Sequence, residues 1–376
     1  MQEIQLILVQ AQTLLVQLAF QVVAVLGLGL AWLMVAIGTE SPHVKVWREL
    51  FGRVGRTTLV LGLVWLVVLA TAWPPLLERV GNVLGPVLGA AVAVVLVVES
   101  LVGRAMRASK AWLRSAATVA TAVGYTVALA LVVVAESWMR EPVGAALIDG
   151  RFLVIDWQEL LANEAFAQAL LATLLGALML LAALLQLANQ PKNGLSLTLP
   201  GAWRRALTAL GLAASVGLLW LVSSAVGTHG SGAFYDSVLQ APGGVQAGGA
   251  MGSVAAWLMR LLLVLWIVTV AALVVSLAGT AGSSSLARTM SRLPLVSAPL
   301  MWCLAWWHLN AQAQASLVSG LSVADLVSGE PTVVLATGLA LVGAVVVASF
   351  VVLWRGSRKP AKDASPEEAV MRRAKS

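Results

Sequence analysis

Runs of about 20 consecutive apolar residues recur from one end of this chain to the other, and no other feature constrains its fold as strongly. A run of that length matches the hydrocarbon thickness of a bilayer, and a helix satisfies all of its backbone hydrogen bonds within the run. Hydropathy places nine such spans, at roughly 13–37, 57–76, 86–106, 115–136, 166–188, 204–226, 251–279, 296–317 and 332–354. The expected fold is therefore an all-α polytopic membrane protein of nine transmembrane helices. Residues 1–358 form the membrane domain, and a charged tail over 359–376, without aromatics, is expected to be disordered.

Composition excludes a sizeable soluble domain. The chain is 60% hydrophobic and 11% charged, with mean hydropathy +0.90. Soluble domains carry about 25% charged residues, so this chain has too little polar surface to cover itself in water. Met1 to Gln12 lacks the basic n-region of a cleavable signal peptide. The one cysteine, Cys303, lies in an apolar segment, which removes disulfides and cysteine-based metal sites.

The net charge of +7 follows membrane topology and is no sign of nucleic-acid binding. Basic residues cluster at Lys45, Arg48, Arg53 and Arg56; at Arg104, Arg107, Lys110 and Arg114; at Lys192, Arg204 and Arg205; at Arg288 and Arg292; and between Arg355 and Lys375. The intervening loops hold only Arg79, Arg140 and Arg151. With nine spans, every basic cluster falls on one side if the N-terminus faces outward and the C-terminal tail is cytoplasmic. Two outer connections stand out. Residues 137–165 form a loop in which Asp156-Trp157-Gln158-Glu159 starts a short interfacial helix capped by Asp156. Residues 227–250 are rich in Gly, Ser and Ala and read as a flexible connection with Asp236 as its one acidic group.

Four short motifs carry a family resemblance. Trp138-Met139-Arg140-Glu141-Pro142-Val143-Gly144 is a loop entry, with a tryptophan suited to the membrane boundary and a proline that ends the helix. It resembles the motif after the fourth transmembrane helix of subunit I of the cytochrome bd quinol oxidases. Val80-Gly81-Asn82-Val83-Leu84-Gly85, followed by Glu99-Ser100, resembles the opening and the later Glu-Ser of that family's third helix. Trp47 through Gly52 resembles the entry to the second helix, and Trp257-Leu258-Met259-Arg260 the entry to the seventh. The order, spacing and nine-span topology agree over nearly the whole chain.

The same resemblance implies that most haem ligands of the family are replaced. Haem iron takes an imidazole, thioether, thiolate or anionic oxygen at its axial positions. Phe20 stands where the family has the first-helix histidine of the high-spin pair, and Ala91 where it has a third-helix glutamate. Ala172 and Leu262 stand for the histidine and methionine of the low-spin haem, and an eighth-helix glutamate falls at Met301 or Trp302. Only the second third-helix glutamate persists, as Glu99. The family's long quinol-binding loop corresponds to the Gly/Ser/Ala stretch at 227–250, and its motif after the eighth helix to Ala311-Gln312-Ala313-Gln314. The resemblance thus implies a degenerate paralogue with no catalytic, haem or metal site of its own.

The remaining polar residues have competing readings. Glu99 lies mid-span, where a charge costs about 2.5–3.5 kcal/mol on insertion scales. It is a proton-path or interface residue, or a neutral acid hydrogen-bonded within the bundle, and the second reading is preferred. Arg260 either contacts an anion on a partner or lipid or snorkels to the surface. The histidines number three, His43, His229 and His308. His308, after Trp306-Trp307, is a minor ligand candidate beside a boundary role. The tryptophans read as aromatic belt and packing, and Gly27/Ala31 and Gly338/Gly343 as helix-packing faces.

Two functions follow. In the first, the chain is a haem-free second subunit of a cytochrome bd-type quinol oxidase. It scaffolds a haem-bearing subunit I that carries haems b and d, in a pseudo-symmetric heterodimer in a bacterial or archaeal cytoplasmic (inner) membrane. Its contact with the quinone pool then runs through the partner, and its own ligands are limited to a bound quinone or lipid. In the second, it is a stand-alone membrane sensor of quinone or lipid, or a transporter. The scarcity of polar groups in the spans weighs against transport.

Overall fold

The computed structural model describes residues 2–38, 44–105, 110–188, 201–229, 250–277, 292–310 and 332–357. Its helices are α1 (Gln2–Ile37), α2 (Val44–Ala72), α3 (Pro74–Ala105), α4 (Ala111–Arg140), α5 (Trp157–Leu161), α6 (Glu164–Ala188), α7 (Gly201–His229), α8 (Ala250–Leu277), α9 (Pro294–Asn310) and α10 (Thr332–Ser357). Between α4 and α5 lies a hairpin of β1 (Ala145–Ile148) and β2 (Arg151–Val154). Eight of the described helices are long and apolar enough to cross a membrane, and the shorter apolar Pro294–Trp307 segment of α9 falls within the expected eighth span. The end of the expected eighth span, beyond Asn310, lies outside the described residues, as do the tail from 358 onward, residues 230–249 and 311–314.

Helix α1 is the centre of the bundle, packing against α2, α4, α6, α9 and α10. Its sequence explains this position, because it is apolar around most of its circumference and glycine thins it where neighbours approach. A Cβ on Gly29 would lie 2.8 Å from the carbonyl oxygen of Ala177 on α6, so only glycine permits that crossing. Helices α3 and α4, α6 and α7, and α8 and α9 form further close pairs. Helices α2 and α3 are separated by Trp73 alone yet make little contact with each other, which leaves a cleft described below.

Two expectations need correction between α4 and α6. The Trp138-Met139-Arg140 segment is not loop: α4 continues through Arg140, and the Glu141 N–H still donates to the Ser137 carbonyl at 3.0 Å. Trp138 accordingly packs within the protein. It is fully buried, edge-on to Phe152 of β2 with ring centroids 5.4 Å apart. The second correction is the hairpin, an exception to an otherwise all-α chain. Asp149 and Gly150 both take positive φ, 49° and 78°, the conformation that joins two strands through a two-residue turn, and Ile148 pairs with Arg151 across it. The Asp156 cap forms as expected, its Oδ1 accepting from the N–H groups of Gln158 at 2.7 Å and Glu159 at 3.3 Å.

Gly144 joins these pieces. Its φ is +70°, and its carbonyl accepts the N–H groups of Ile155 at 2.9 Å and Asp156 at 3.0 Å. A Cβ there would sit 2.4 Å from the Asp156 carbonyl oxygen, a backbone atom that cannot swing away. Gly144→Ala should therefore cost on the order of 1–3 kcal/mol and free the hairpin. The expected result is a lower melting temperature in detergent and faster proteolysis at the Asp149-Gly150 turn.

Candidate functional site: an apolar cleft and a buried carboxyl

Phe20 and Ala91 line one cleft, a cavity of about 80 Å³ walled by α1, α2, α3 and α4. The Phe20 ring stacks on Trp65 with centroids 5.9 Å apart and planes 12° from parallel. Gly62 admits the ring, since a Cβ at that position would come within 3.2 Å of it. The polar side-chain atoms of the lining are the Thr58 and Tyr125 hydroxyls, 3.0 Å apart and bonded to each other, and the Trp65 indole N–H. That N–H is buried and has no hydrogen-bond partner among the described residues. A phenyl ring and a methyl group offer iron no lone pair. Tyr125 alone among the lining residues belongs to a class of axial ligand, and its oxygen is engaged with Thr58.

On the other side of α1 the remaining positions are filled by packed apolar groups. Ala172 on α6 and Leu262 on α8 are each 1% exposed. Met301 and Trp302 are likewise buried in α9. The Trp302 ring lies over Gly176, one turn beyond Ala172, where a Cβ would come within 2.5 Å of the ring. Arg260 is exposed at the start of the α8 span, its guanidinium 5.2 Å from the Trp257 ring centroid in a cation–π contact. Glu99 belongs to α3 and His308 to α9, and both side chains lie outside the described residues.

The polar centre of the bundle is a residue that sequence reasoning passed over. Glu136, near the C-terminal end of α4, is 4% exposed. Its Oε1 accepts from Gln21 Nε2 at 2.6 Å and from Gln17 Nε2 at 3.2 Å. Its Oε2 accepts from Trp306 Nε1 at 3.2 Å. Gln17 and Gln21 are one turn apart on α1 and so present both carboxamides on one face. Three helices, α1, α4 and α9, thus meet on one carboxyl group. The available signal was the Gln-x-x-x-Gln pair in an otherwise apolar helix, together with the last acidic residue before an aromatic helix end. Glu136 was read as the edge of the fourth span because the helix was expected to stop there.

Comparison with known proteins places this arrangement. Residues 8–238 match the family model of the cytochrome bd terminal oxidase subunit I. The chain belongs to that family. A chain of the solved bd oxidase from Geobacillus thermodenitrificans aligns with a TM-score of 0.72 over 93% of this chain and 98% of its own, at 15% identity, a likeness of fold. No curated protein matches the sequence. The chain is a component of a bd-type oxidase and an inner-membrane protein. The family binds haem in bd oxidases, and among the described residues no three His, Cys, Asp or Glu side chains converge as a metal-ion site would require.

Trp306→Phe tests the carboxyl cluster, because it keeps most of the buried ring and removes one donor to Glu136. Loss of that hydrogen bond should lower stability by about 1 kcal/mol. Thermal unfolding of the purified protein in detergent, compared with Trp307→Phe, measures the effect.

Proposed function

We propose that this chain is the haem-free second subunit of a cytochrome bd-type quinol:oxygen oxidoreductase. It packs against a haem-bearing subunit I, which carries the b and d haems, and stabilises it as a pseudo-symmetric partner. The observation that carries the reading is the Phe20–Trp65 stack, which shares one cleft with Ala91. The position that the resemblance gives to a high-spin haem ligand and the position of the family's third-helix glutamate face the same space, and apolar side chains line most of it. The same reading makes Ala172 and Leu262 the apolar replacements at the low-spin site. Glu99 and Arg260 remain candidates for a proton path or a subunit interface. On this reading the chain completes no active site alone, and quinol oxidation and oxygen reduction belong to the partner.

Affinity purification from native membranes through a tag on this chain tests the proposal. A ligand-complete subunit I should copurify in a one-to-one ratio and bring the haem absorbance, whereas the chain expressed alone should give a featureless reduced-minus-oxidised spectrum. A stoichiometric haem spectrum on the isolated chain would overturn the haem-free reading. Purification without any oxidase subunit would favour a stand-alone quinone- or lipid-binding sensor or a transporter.

The orientation that fits this role has the N-terminus outside and the C-terminus in the cytoplasm, as the basic clusters require. Single cysteines placed at Ser231 and Ser365 in a Cys303→Ser background should label from the outside and only after permeabilisation, respectively. The reverse pattern would rule out the nine-span orientation.

A further inference from the structure

The hydrogen bonds around Glu136 leave one acceptor without a donor. Gln21 is 1% exposed and gives its Nε2 hydrogen to Glu136, yet its carbonyl Oε1 is buried with no partner among the described residues. A buried carbonyl without a donor costs roughly 1–3 kcal/mol. Two amide N–H groups already use both lone pairs of Glu136 Oε1. Among the described residues Oε2 receives only the Trp306 indole N–H. One O–H between Oε2 and the Gln21 carbonyl would satisfy both.

We propose that Glu136 is a proton-binding site, its carboxyl neutral, with the proton on Oε2 donated to Gln21 Oε1. The acid and the carboxamide then form a cyclic pair, amide N–H to acid carbonyl and acid O–H to amide carbonyl. Oε1 then accepts from Gln17 and Gln21, and the hydroxyl donates to the Gln21 carbonyl and accepts from the Trp306 N–H. The surroundings agree. The groups that touch Glu136 are two carboxamides and an indole, none of them charged. Arg140, one turn further along α4, makes no ion pair with it among the described residues, and Glu78 at the start of α3 is paired with Arg151. An ionised carboxylate there would stand without a counter-charge in a low-dielectric interior, which costs several kcal/mol. Deprotonation would also set a carboxylate oxygen against the Gln21 carbonyl, so proton occupancy and the α1–α4 contact are linked.

The infrared spectrum of the purified protein, with whatever subunits accompany it, reads the proton directly. The wild type should show a protonated-carboxyl carbonyl band that shifts in deuterium oxide and is missing from Glu136→Gln. Glutamine keeps the carbonyl acceptor and the donor to Gln21 and gives up only the acceptor for the Trp306 N–H, so Glu136→Gln should lower the melting temperature much less than Glu136→Leu, which leaves three donors and one acceptor unmatched. Two results would overturn the proposal. One is the absence of a protonated-carboxyl band assignable to Glu136, as an ionised group bridged by water would give. The other is a fall in melting temperature, or a failure to assemble, in Glu136→Gln as large as in Glu136→Leu.

Discussion

Inside a bilayer no water is at hand to receive a hydrogen bond, so every polar group in these helices has to find its partner within the protein. Backbone groups do so by helix formation, and most hydroxyls return to a carbonyl of their own helix, as Thr173 does to Ala169 and Thr269 to Leu265. A few side chains reach further. Gln186 on α6 donates to Thr208 on α7 at 2.9 Å, and the hydroxyls of Thr269 on α8 and Ser297 on α9 are hydrogen-bonded to each other at 2.7 Å. Gln12 on α1 donates to the Leu335 carbonyl on α10. The Glu136 cluster is the largest of these contacts and joins three helices. Apolar packing between helices gains little over packing against lipid tails, so such contacts fix which helices are neighbours.

The cleft at Phe20 shows how a scaffold accommodates changed side chains. Phe20, Trp65 and Gly62 are complementary in shape, with a small residue opposite a large one. The same complementarity holds between Gly176 and Trp302, and between Gly27 and Tyr125, whose oxygen occupies the place of a Cβ. Aromatic rings inserted against glycines fill the bundle interior at each of these points. The helical bundle is thus compatible with an interior built of hydrocarbon.

Much of the fold was legible in the sequence, because the apolar period that crosses a membrane is long and each helix is set by it. The ends were less legible, since hydropathy falls before helicity does. Helix α2 begins at Val44 although its apolar run starts near 57, and α4 continues through Glu136 to Arg140. That second discrepancy hides the polar cluster: a carboxyl at the last position of an apolar run reads as reaching the membrane surface, where a charge costs little, whereas Glu99 sits inside a run. The hairpin was missed for a different reason. Its Asp149-Gly150 turn signal was present, but the segment was read for what interrupts helices and not for what pairs strands. Positions such as Phe20 and Ala91 came from a family resemblance, and that they share a cleft needed three dimensions.

Helix α1 carries Gln12, Gln17 and Gln21, and their partners lie far along the chain. Glu136 is 115 and 119 residues after Gln21 and Gln17, and Leu335 is 323 residues after Gln12. During synthesis the first helix therefore enters the membrane with three carboxamides that nothing yet answers. Its apolar bulk holds it in place, but its final neighbours are chosen only when the fourth helix arrives and again when the tenth does. A ribosome adding about 5–20 residues each second leaves that interval at seconds to a minute. Over that time the insertion machinery, or another subunit, has to shelter these polar side chains of α1 from lipid.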